Sequence, residues 1–308
     1  MSTLPHLFSI VIPVYNSTSS LTELVDRIDK VFSQLDAAYE IIFVDDGSSN
    51  KATWPVIEKL AMQKPSVKGV QLTRNFGKPG ALMCGLEQAA GDYIITMDDD
   101  LQHLPEDLPA LIAKKEHDIV IAYFKDKKHS FQKQVFSKIN SWFEEKLIGK
   151  PAHIKSGPFR LLKREIVANM LSVKTAYPSI SALMYFVSKD VVMAEVSHGE
   201  RKFDKSGFTF KKMLGTFSNL LINNSSFLLQ VMAGMGIGIS TLSFIMAIAF
   251  LIKKLTVGTT VAGWASLMIV ILFIGGLILF SLGVVGEYLI RIINGVENKP
   301  SYLIRKKV

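Results

Sequence analysis

Apolar and polar positions alternate in blocks over the first 124 residues. Phe8-Ser-Ile-Val-Ile-Pro13 is a short β-branched run that stops at a proline. Leu21, Leu24, Val25, Ile28, Val31, Phe32 and Leu35 recur at the helical period and predict a helix over 21–35. Residues 40–44 predict a second buried strand. It ends in Asp45-Asp46-Gly47-Ser48-Ser49, a turn cluster that can also cap a following helix. A third strand is expected at 67–72, a helix at 80–90, a fourth strand at 92–97, a helix at 105–116 and a strand at 118–122. Strands alternating with helices predict an α/β fold with a doubly wound, mostly parallel sheet. Ligands bind such sheets beyond the carboxyl ends of the strands. The polar clusters Tyr15-Asn16, Asp45-Asp46, Arg74-Asn75 and Asp98-Asp99-Asp100 all fall at those ends.

The pattern then changes. Residues 125–165 hold eleven Lys/Arg and four acids and include an amphipathic helix over 131–147. A mixed segment follows to about 207. Phe210, Met213, Leu214, Phe217, Leu220 and Leu221 recur at helical spacing, with Lys211, Lys212, Ser218 and Asn219 on the other faces. This stretch, 209–228, reads as an interfacial helix lying on a membrane; a buried core helix is the alternative. Residues 229–252 and 264–286 then supply 24 and 23 uncharged residues. Each exceeds the roughly 20 that cross a bilayer core. The linker 253–263 is short, so the pair predicts a hairpin with both ends on one side. Seven flanking cations (Lys211, Lys212, Arg291, Lys299, Arg305, Lys306, Lys307) stand against two in the linker, Lys253 and Lys254. That bias puts the N-terminal domain and the tail in the cytoplasm. Trp264 falls where an interfacial aromatic belongs, and Gly234 and Gly238 form a small-xxx-small pair that lets helices approach. The expected domains are 1–208, catalytic; 209–228, interfacial; 229–290, hairpin; and 291–308, a basic cytoplasmic tail.

Composition adds three bounds. The 308 residues carry 35 Lys+Arg and 27 Asp+Glu, a net charge of +8, with 20% charged residues overall. That density is ordinary, but only Lys253 and Lys254 carry charge over the 74 residues 213–286. A purely soluble enzyme and a many-span transporter are both excluded. A single cysteine, Cys84, cannot form an internal disulfide, which fits a reducing compartment. No secretory signal is visible at the start of the chain. Residues 125–165 alone account for +7, and a basic patch beside an anchor points to an anionic lipid surface or a phosphate-bearing substrate rather than nucleic acid.

Met97-Asp98-Asp99-Asp100-Leu101-Gln102 is the sharpest chemical signal. At a strand end, alternate residues share a face, so Asp98 and Asp100 project together. Two carboxylates so placed repel unless a cation holds them. Mg²⁺ or Mn²⁺ takes one or two carboxylates together with phosphate oxygens and water. A metal bridging a diphosphate would stabilise charge on a departing nucleotide. An acidic triplet alone can be a solvated helix cap; opposite Asp45-Asp46 it carries more weight.

Together, Ile12-Pro13-Val14-Tyr15-Asn16, Val44-Asp45-Asp46-Gly47-Ser48, Arg74-Asn75-Phe76-Gly77-Lys78 and Asp98-Asp99-Asp100-Leu101-Gln102 resemble the motifs of family 2 glycosyltransferases with the GT-A, Rossmann-like fold. More narrowly the chain is similar to the polyprenyl-phosphate glycosyltransferases: dolichol-phosphate mannose synthases, bactoprenol glucosyltransferases and aminoarabinose lipid transferases. Phe159-Arg160-Leu161-Leu162, Lys205-Ser206-Gly207-Phe208-Thr209 and Val285-Gly286-Glu287-Tyr288-Leu289 extend the resemblance over nearly the whole chain.

The resemblance implies that Pro13, Tyr15 and Asn16 line a nucleotide pocket, with Asp45 bonding the base and Asp46, Lys78 and Asp99 on the donor side. Asp98, Asp100 and Gln102 would hold Mg²⁺ or Mn²⁺. Lys125, Arg160, Arg201, Lys205 and Ser206 would engage the acceptor phosphate, and Asp98, Asp100 and Arg160 would be the catalytic set. It also implies a UDP-sugar donor, glucose or a related hexose, undecaprenyl phosphate as acceptor, a bacterial inner membrane, and a homo-oligomer such as a tetramer. Pro158 stands where relatives often carry an Asp proposed as a base, which puts a dedicated carboxylate there in doubt. A phosphate acceptor, with a second pKa near 6, needs positioning more than deprotonation. Three other readings are weaker. A processive polysaccharide synthase would carry a Trp after Arg, and none of Trp54, Trp142 and Trp264 follows one. A non-catalytic scaffold or flippase subunit would have no need of intact acids at 98 and 100. A nicotinamide-dependent enzyme lacks its glycine-rich turn here, because the first strand leads into Pro13-Val14-Tyr15-Asn16.

Overall fold

The computed structural model of the chain describes residues 6–124, 141, 144–175, 178–197, 234, 238, 241, 245, 252, 256, 263–296 and 300–308. The elements in chain order are β1 (Leu7–Val14), α1 (Ser19–Leu35), β2 (Ala38–Asp45), α2 (Thr53–Gln63), β3 (Val67–Leu72), α3 (Lys78–Gln88) and β4 (Tyr93–Thr96). After them come α4 (Leu108–Ile112), β5 (Ile119–Phe124), β6 (Arg160–Lys163), α5 (Arg164–Ser172), α6 (Ile180–Val187), β7 (Val191–Val196), α7 (Trp264–Val296) and β8 (Ile304–Lys307).

The described strands form one eight-stranded sheet, ordered β7-β5-β6-β4-β1-β2-β3-β8. β1 pairs in parallel with β2 and β4, β2 with β3, and β5 with β7. β6 runs antiparallel between β4 and β5, and β8 runs antiparallel on the outer edge of β3. The mostly parallel sheet expected from the alternation is therefore present, with two antiparallel insertions. β1 is buried from Phe8 to Val14, as in a strand covered on both faces. α1 buries Leu21, Leu24, Val25, Ile28, Val31 and Phe32, the stripe read from the sequence. Pro13 is tolerated in this central strand because of its register. Val11 accepts from the Met97 N–H on the β4 side, and β4 pairing ends at Val11↔Thr96. Pro13 faces the same side two residues on, so its missing N–H breaks no ladder bond.

The chain steps outward from β1 to β3 and then returns to the other side of β1 as β4. That reversal makes a crevice outside the carboxyl ends of β1 and β4, where a doubly wound sheet takes its ligand.

Several expected boundaries move. The helix expected over 105–116 is a 3-10 turn, Pro105–Asp107, followed by the five-residue α4, and the chain breaks into turns after Ile112. Two prolines, Pro105 and Pro109, restrict its hydrogen bonding. The tail assigned to 291–308 divides: α7 continues to Val296, and Ile304–Lys307 joins the sheet. An edge strand needs only backbone groups from its neighbour, so three charged residues in four did not prevent pairing. Residues 144–148 close the 131–147 amphipathic segment as helix, while most of that segment lies outside the described residues.

The chain divides into two compact units, Met1–Met213 with Asn298–Val308, and Leu214–Glu297. In the second unit α7 is one continuous helix of 33 residues, about 50 Å long at 1.5 Å per residue. Counted over the described side chains, no helix is long and apolar enough to cross a membrane; α7 has only part of its side chains described. The expected interfacial helix and nearly all of the first expected span lie outside the described residues.

Candidate active site at the strand ends

Four loops leave the carboxyl ends of β1 to β4, and their polar groups bond mainly to one another. Asn16 takes a left-handed backbone, φ 63, directly after β1. Its N–H donates to Ser48 Oγ at 2.8 Å, and its Oδ1 accepts from the Asn50 N–H at 2.9 Å. Tyr15 beside it is 48% exposed, an uncovered ring at the mouth of the crevice. Asp45 and Asp46 are both buried. Asp45 accepts from the Ser48 N–H and from Gln71 Nε2, both at 3.0 Å. Asp46 Oδ1 accepts from the Phe76 N–H at 2.7 Å. Burial nevertheless pushes the Asp46 carboxyl up to about 6, against the amides of Phe76 and Gly77. Gly47, at φ +59, lies so close to the next loop that a Cβ would sit 2.3 Å from the Arg74 carbonyl carbon.

That next loop delivers Lys78, the first residue of α3, whose Nζ donates to Asp98 Oδ1 at 2.5 Å. Burial alone would raise the Asp98 carboxyl. The charge of Lys78, with that of Arg160, outweighs it and holds Asp98 below its ordinary value. Asp100 Oδ1 accepts from the Gln102 N–H at 3.1 Å across Leu101, itself left-handed at φ 58 and buried. A bulky residue in that region stores strain, which is characteristic of functional turns. Asp99 Oδ2 is buried and has no hydrogen-bond partner among the described residues. Its burial, with Asp98 and Asp100 alongside, pushes the carboxyl up to about 6.

Arg160 lies across β4, paired in register with Thr96. Its guanidinium is buried, which lowers its pKa; the charge of Asp98 is among the opposing influences. Nε donates to Gly157 O at 2.5 Å, Nη2 to Ser181 Oγ at 3.2 Å, and Nη1 approaches Met184 Sδ at 3.2 Å. These acceptors are all neutral, and among the described residues no carboxylate lies within ion-pair distance. Pro158, in place of the carboxylate that relatives often carry, offers its carbonyl to Thr96 Oγ1 at 2.7 Å. Glu144, on the same side, accepts from Ser156 Oγ at 2.6 Å and pairs with Lys150 at 3.4 Å.

The structure thus brings Tyr15, Asn16, Asp45, Asp46, Lys78, Asp98, Asp99, Asp100, Gln102 and Arg160 to one end of the sheet. Pro13 is buried within β1. Lys125, Arg201, Lys205 and Ser206 lie outside the described residues. Sequence reasoning missed His103, whose Nδ1 accepts from the Asp98 N–H at 3.1 Å while its ring stacks on Phe159 at 5.2 Å. Its position directly after Gln102 was the available signal. Ser181 and Met184 were also missed; they reach the site only because α6 packs there. As for a metal, the described residues gather no group of three or more His, Cys, Asp or Glu side chains able to hold one. Asp98 and Asp100 offer hard oxygens, and Asp99 Oδ2 is a third, unpartnered among the described residues. That donor set suits a hard divalent ion completed by phosphate and water.

Comparison with known proteins agrees. The family described as Glycosyl transferase family 2 matches residues 9–171. The chain is 32% identical over 308 residues to an undecaprenyl-phosphate 4-deoxy-4-formamido-L-arabinose transferase of Proteus mirabilis, covering 97% of this chain and 93% of that protein. It is also 32% identical over 303 residues to the SfII prophage-derived bactoprenol glucosyl transferase of Shigella flexneri, covering 97% of each. A structure of glucosyl-3-phosphoglycerate synthase from Mycobacterium tuberculosis, with Mn²⁺, UDP and phosphoglyceric acid, shares the fold at 15% identity and a TM-score of 0.50. The match covers 70% of this chain and 75% of that one. With the acids, the lysine and the arginine converging at the switch point of such a sheet, the chain belongs to glycosyl transferase family 2.

Proposed function

We propose that this glycosyltransferase is membrane-bound and moves a hexosyl group, glucose or a related sugar, with inversion, from a UDP-sugar to undecaprenyl phosphate. The observation that carries the reading is Asp98, an ionised carboxylate between Lys78 and the buried cation Arg160 at the switch point of the sheet. The near full-length likeness to proteins named as undecaprenyl-phosphate and bactoprenol sugar transferases supports the acceptor class. A phosphate oxygen of the lipid attacks the anomeric carbon; the bond from that carbon to the nucleoside diphosphate breaks, and the diphosphate leaves with the electron pair. The acceptor phosphate is largely ionised near neutral pH, so no carboxylate is needed at position 158.

Tyr15 and Asn16 line the nucleotide side, and Lys78 turns from Asp98 to the diphosphate. Asp98, Asp100 and Gln102 hold Mg²⁺ or Mn²⁺, which when bound neutralises charge on the leaving diphosphate. Arg160, a planar fork without an anionic partner among the described residues, takes the acceptor phosphate. Residues 229–290 form the anchoring hairpin, with the catalytic unit on the cytoplasmic side of a bacterial inner membrane. Support comes from the uncharged run 264–286, the length of α7 and the exposure of Leu267, Val270, Ile271, Ile278, Phe280 and Leu282 along it.

The test uses purified protein in lipid nanodiscs with undecaprenyl phosphate, Mg²⁺ and a panel of sugar nucleotides. Mass spectrometry of the lipid fraction is expected to find one hexosyl-phosphoryl lipid. No sugar-linked lipid with any donor would overturn the proposal.

A further inference from the structure

The edge strand β8 meets the catalytic sheet at a particular place. Gly69 and Val308 exchange two backbone hydrogen bonds at 2.9 Å, and pairing runs up β3 to Leu72 through an irregularity at Gln71/Leu72. Just past the strand, both backbone polar groups of Thr73 are taken by the returning segment. The Thr73 N–H donates to Leu303 O at 2.9 Å, and the Thr73 carbonyl accepts from Arg305 Nη2 at 3.0 Å. Seven residues further, Ser301 O approaches the first turn of α3, only 2.7 Å from where a Cβ on Gly80 would stand. Residues 301–305 therefore touch the loop 73–77 at its start and the first turn of α3 at its end, the segment that carries Lys78 to Asp98. On its inner side the same loop is held by Asp46, through the Phe76 N–H, and by the close approach of Gly47 to Arg74.

We infer that β8 is an outer brace for the donor loop, and that Arg305 is a positioning residue acting through Thr73 on Lys78. A loop pinned on one side only can rock about its ends; pinned on both, it presents the lysine in one place. Preorganisation of that kind lowers the ordering cost of binding an anion. Edge covering alone does not account for the geometry, because capping β3 needs no side-chain bond beyond its end. Lys307 supplies the contrast. It lies in the same strand, and its Nζ donates to Gln88 Oε1 at 2.7 Å, at the far end of α3. The inference rests on the donor-site reading above, so its test has one arm that needs no substrate.

Full-length protein in nanodiscs is compared as wild type, Arg305→Ala, Arg305→Lys and Lys307→Ala. The first measurement is amide hydrogen exchange at Phe76 and Gly77 without ligand; the second is KM for the sugar nucleotide against KM for the lipid phosphate. Losing one hydrogen bond is expected to speed exchange at those amides about tenfold in Arg305→Ala and to raise donor KM by a similar factor. Acceptor KM and the thermal midpoint should hold. Arg305→Lys, which keeps a cationic donor, should recover part of the loss, and Lys307→Ala should match wild type. Unchanged exchange in Arg305→Ala overturns the brace. Equal losses in Arg305→Ala and Lys307→Ala with a lowered midpoint also overturn it, in favour of simple edge stability. Faster exchange in a protein whose wild type uses no sugar nucleotide upholds the brace and overturns the donor reading instead.

Discussion

The two halves of the strand-end crevice are built on opposite principles. At the ends of β1 to β4 three carboxylates are answered locally: Asp45 by Ser48 and Gln71, Asp46 by the Phe76 amide, Asp98 by Lys78. Across β4, Arg160 is buried, and among the described residues its fork bonds a carbonyl, a hydroxyl and a thioether. A buried charge among neutral acceptors is costly, and a phosphate would relieve it. The donor half is thus organised before any ligand arrives, while the acceptor half is completed by one.

Four substitutions can break or sharpen that contrast. The largest effect is expected from Asp98→Asn, which leaves Lys78 without its anion and removes the strand-end carboxylate. Transfer of labelled sugar to lipid phosphate should fall on the order of a thousandfold, in line with losing a central electrostatic contact. Undiminished transfer would show that the paired half is scaffold rather than machinery. Next comes Arg160→Lys, which keeps the charge but loses the fork. Acceptor KM should rise on the order of tenfold or more with donor KM unchanged. An equal rise in both constants would erase the distinction between the halves.

The third concerns pH. Asp46 has its folded pKa raised to about 6 from an ordinary 3.8, with burial as the main cause. Below about pH 4 the carboxyl is protonated whether folded or unfolded and costs nothing. Between about 4 and 6 the unfolded chain ionises first, so stability falls as pH rises, and above about 6 the loss is complete. Asp46→Asn keeps an acceptor for the Phe76 amide without the charge. It should match wild type near pH 4 and exceed it at pH 8 by on the order of 3 kcal/mol. Thermal midpoints across that range check this; parallel curves would mean Asp46 bears no such cost. Asp99, also raised to about 6, should keep its own part of the slope. The smallest effect is expected from Ser181→Ala, which removes one neutral acceptor from Arg160. Acceptor KM should shift only a few-fold, and a loss as large as that of Arg160→Lys would make the hydroxyl itself part of the phosphate site.

Legibility in the sequence followed the range of the interactions. β1 to β5 could be read because each is an apolar run a few residues long, bounded by turn residues. The acids at 45, 46 and 98–100 could be placed at the ends of those runs. Residues 160–163 and 304–307 were not readable as strands, since Arg-Leu-Leu-Lys and Ile-Arg-Lys-Lys carry little period of their own. His103 was passed over because its role depends on Phe159, 56 positions away, against which it stacks. The acceptor residues expected at 125, 201, 205 and 206 remain expectations from the sequence.

What the sequence by itself determined is whatever a short window of side chains can encode: the α/β alternation, the acidic strand ends, and the long charge-free block between two basic flanks. Only the tertiary structure decided which of those ends meet. It paired Lys78 with Asp98, set Arg160 behind them on an antiparallel strand, and closed the β3 edge with the last residues of the chain. The reason is physical. Strand order and edge pairing are settled by backbone hydrogen bonds between segments distant in the chain, which any residue but proline can supply and which therefore leave little mark on the sequence.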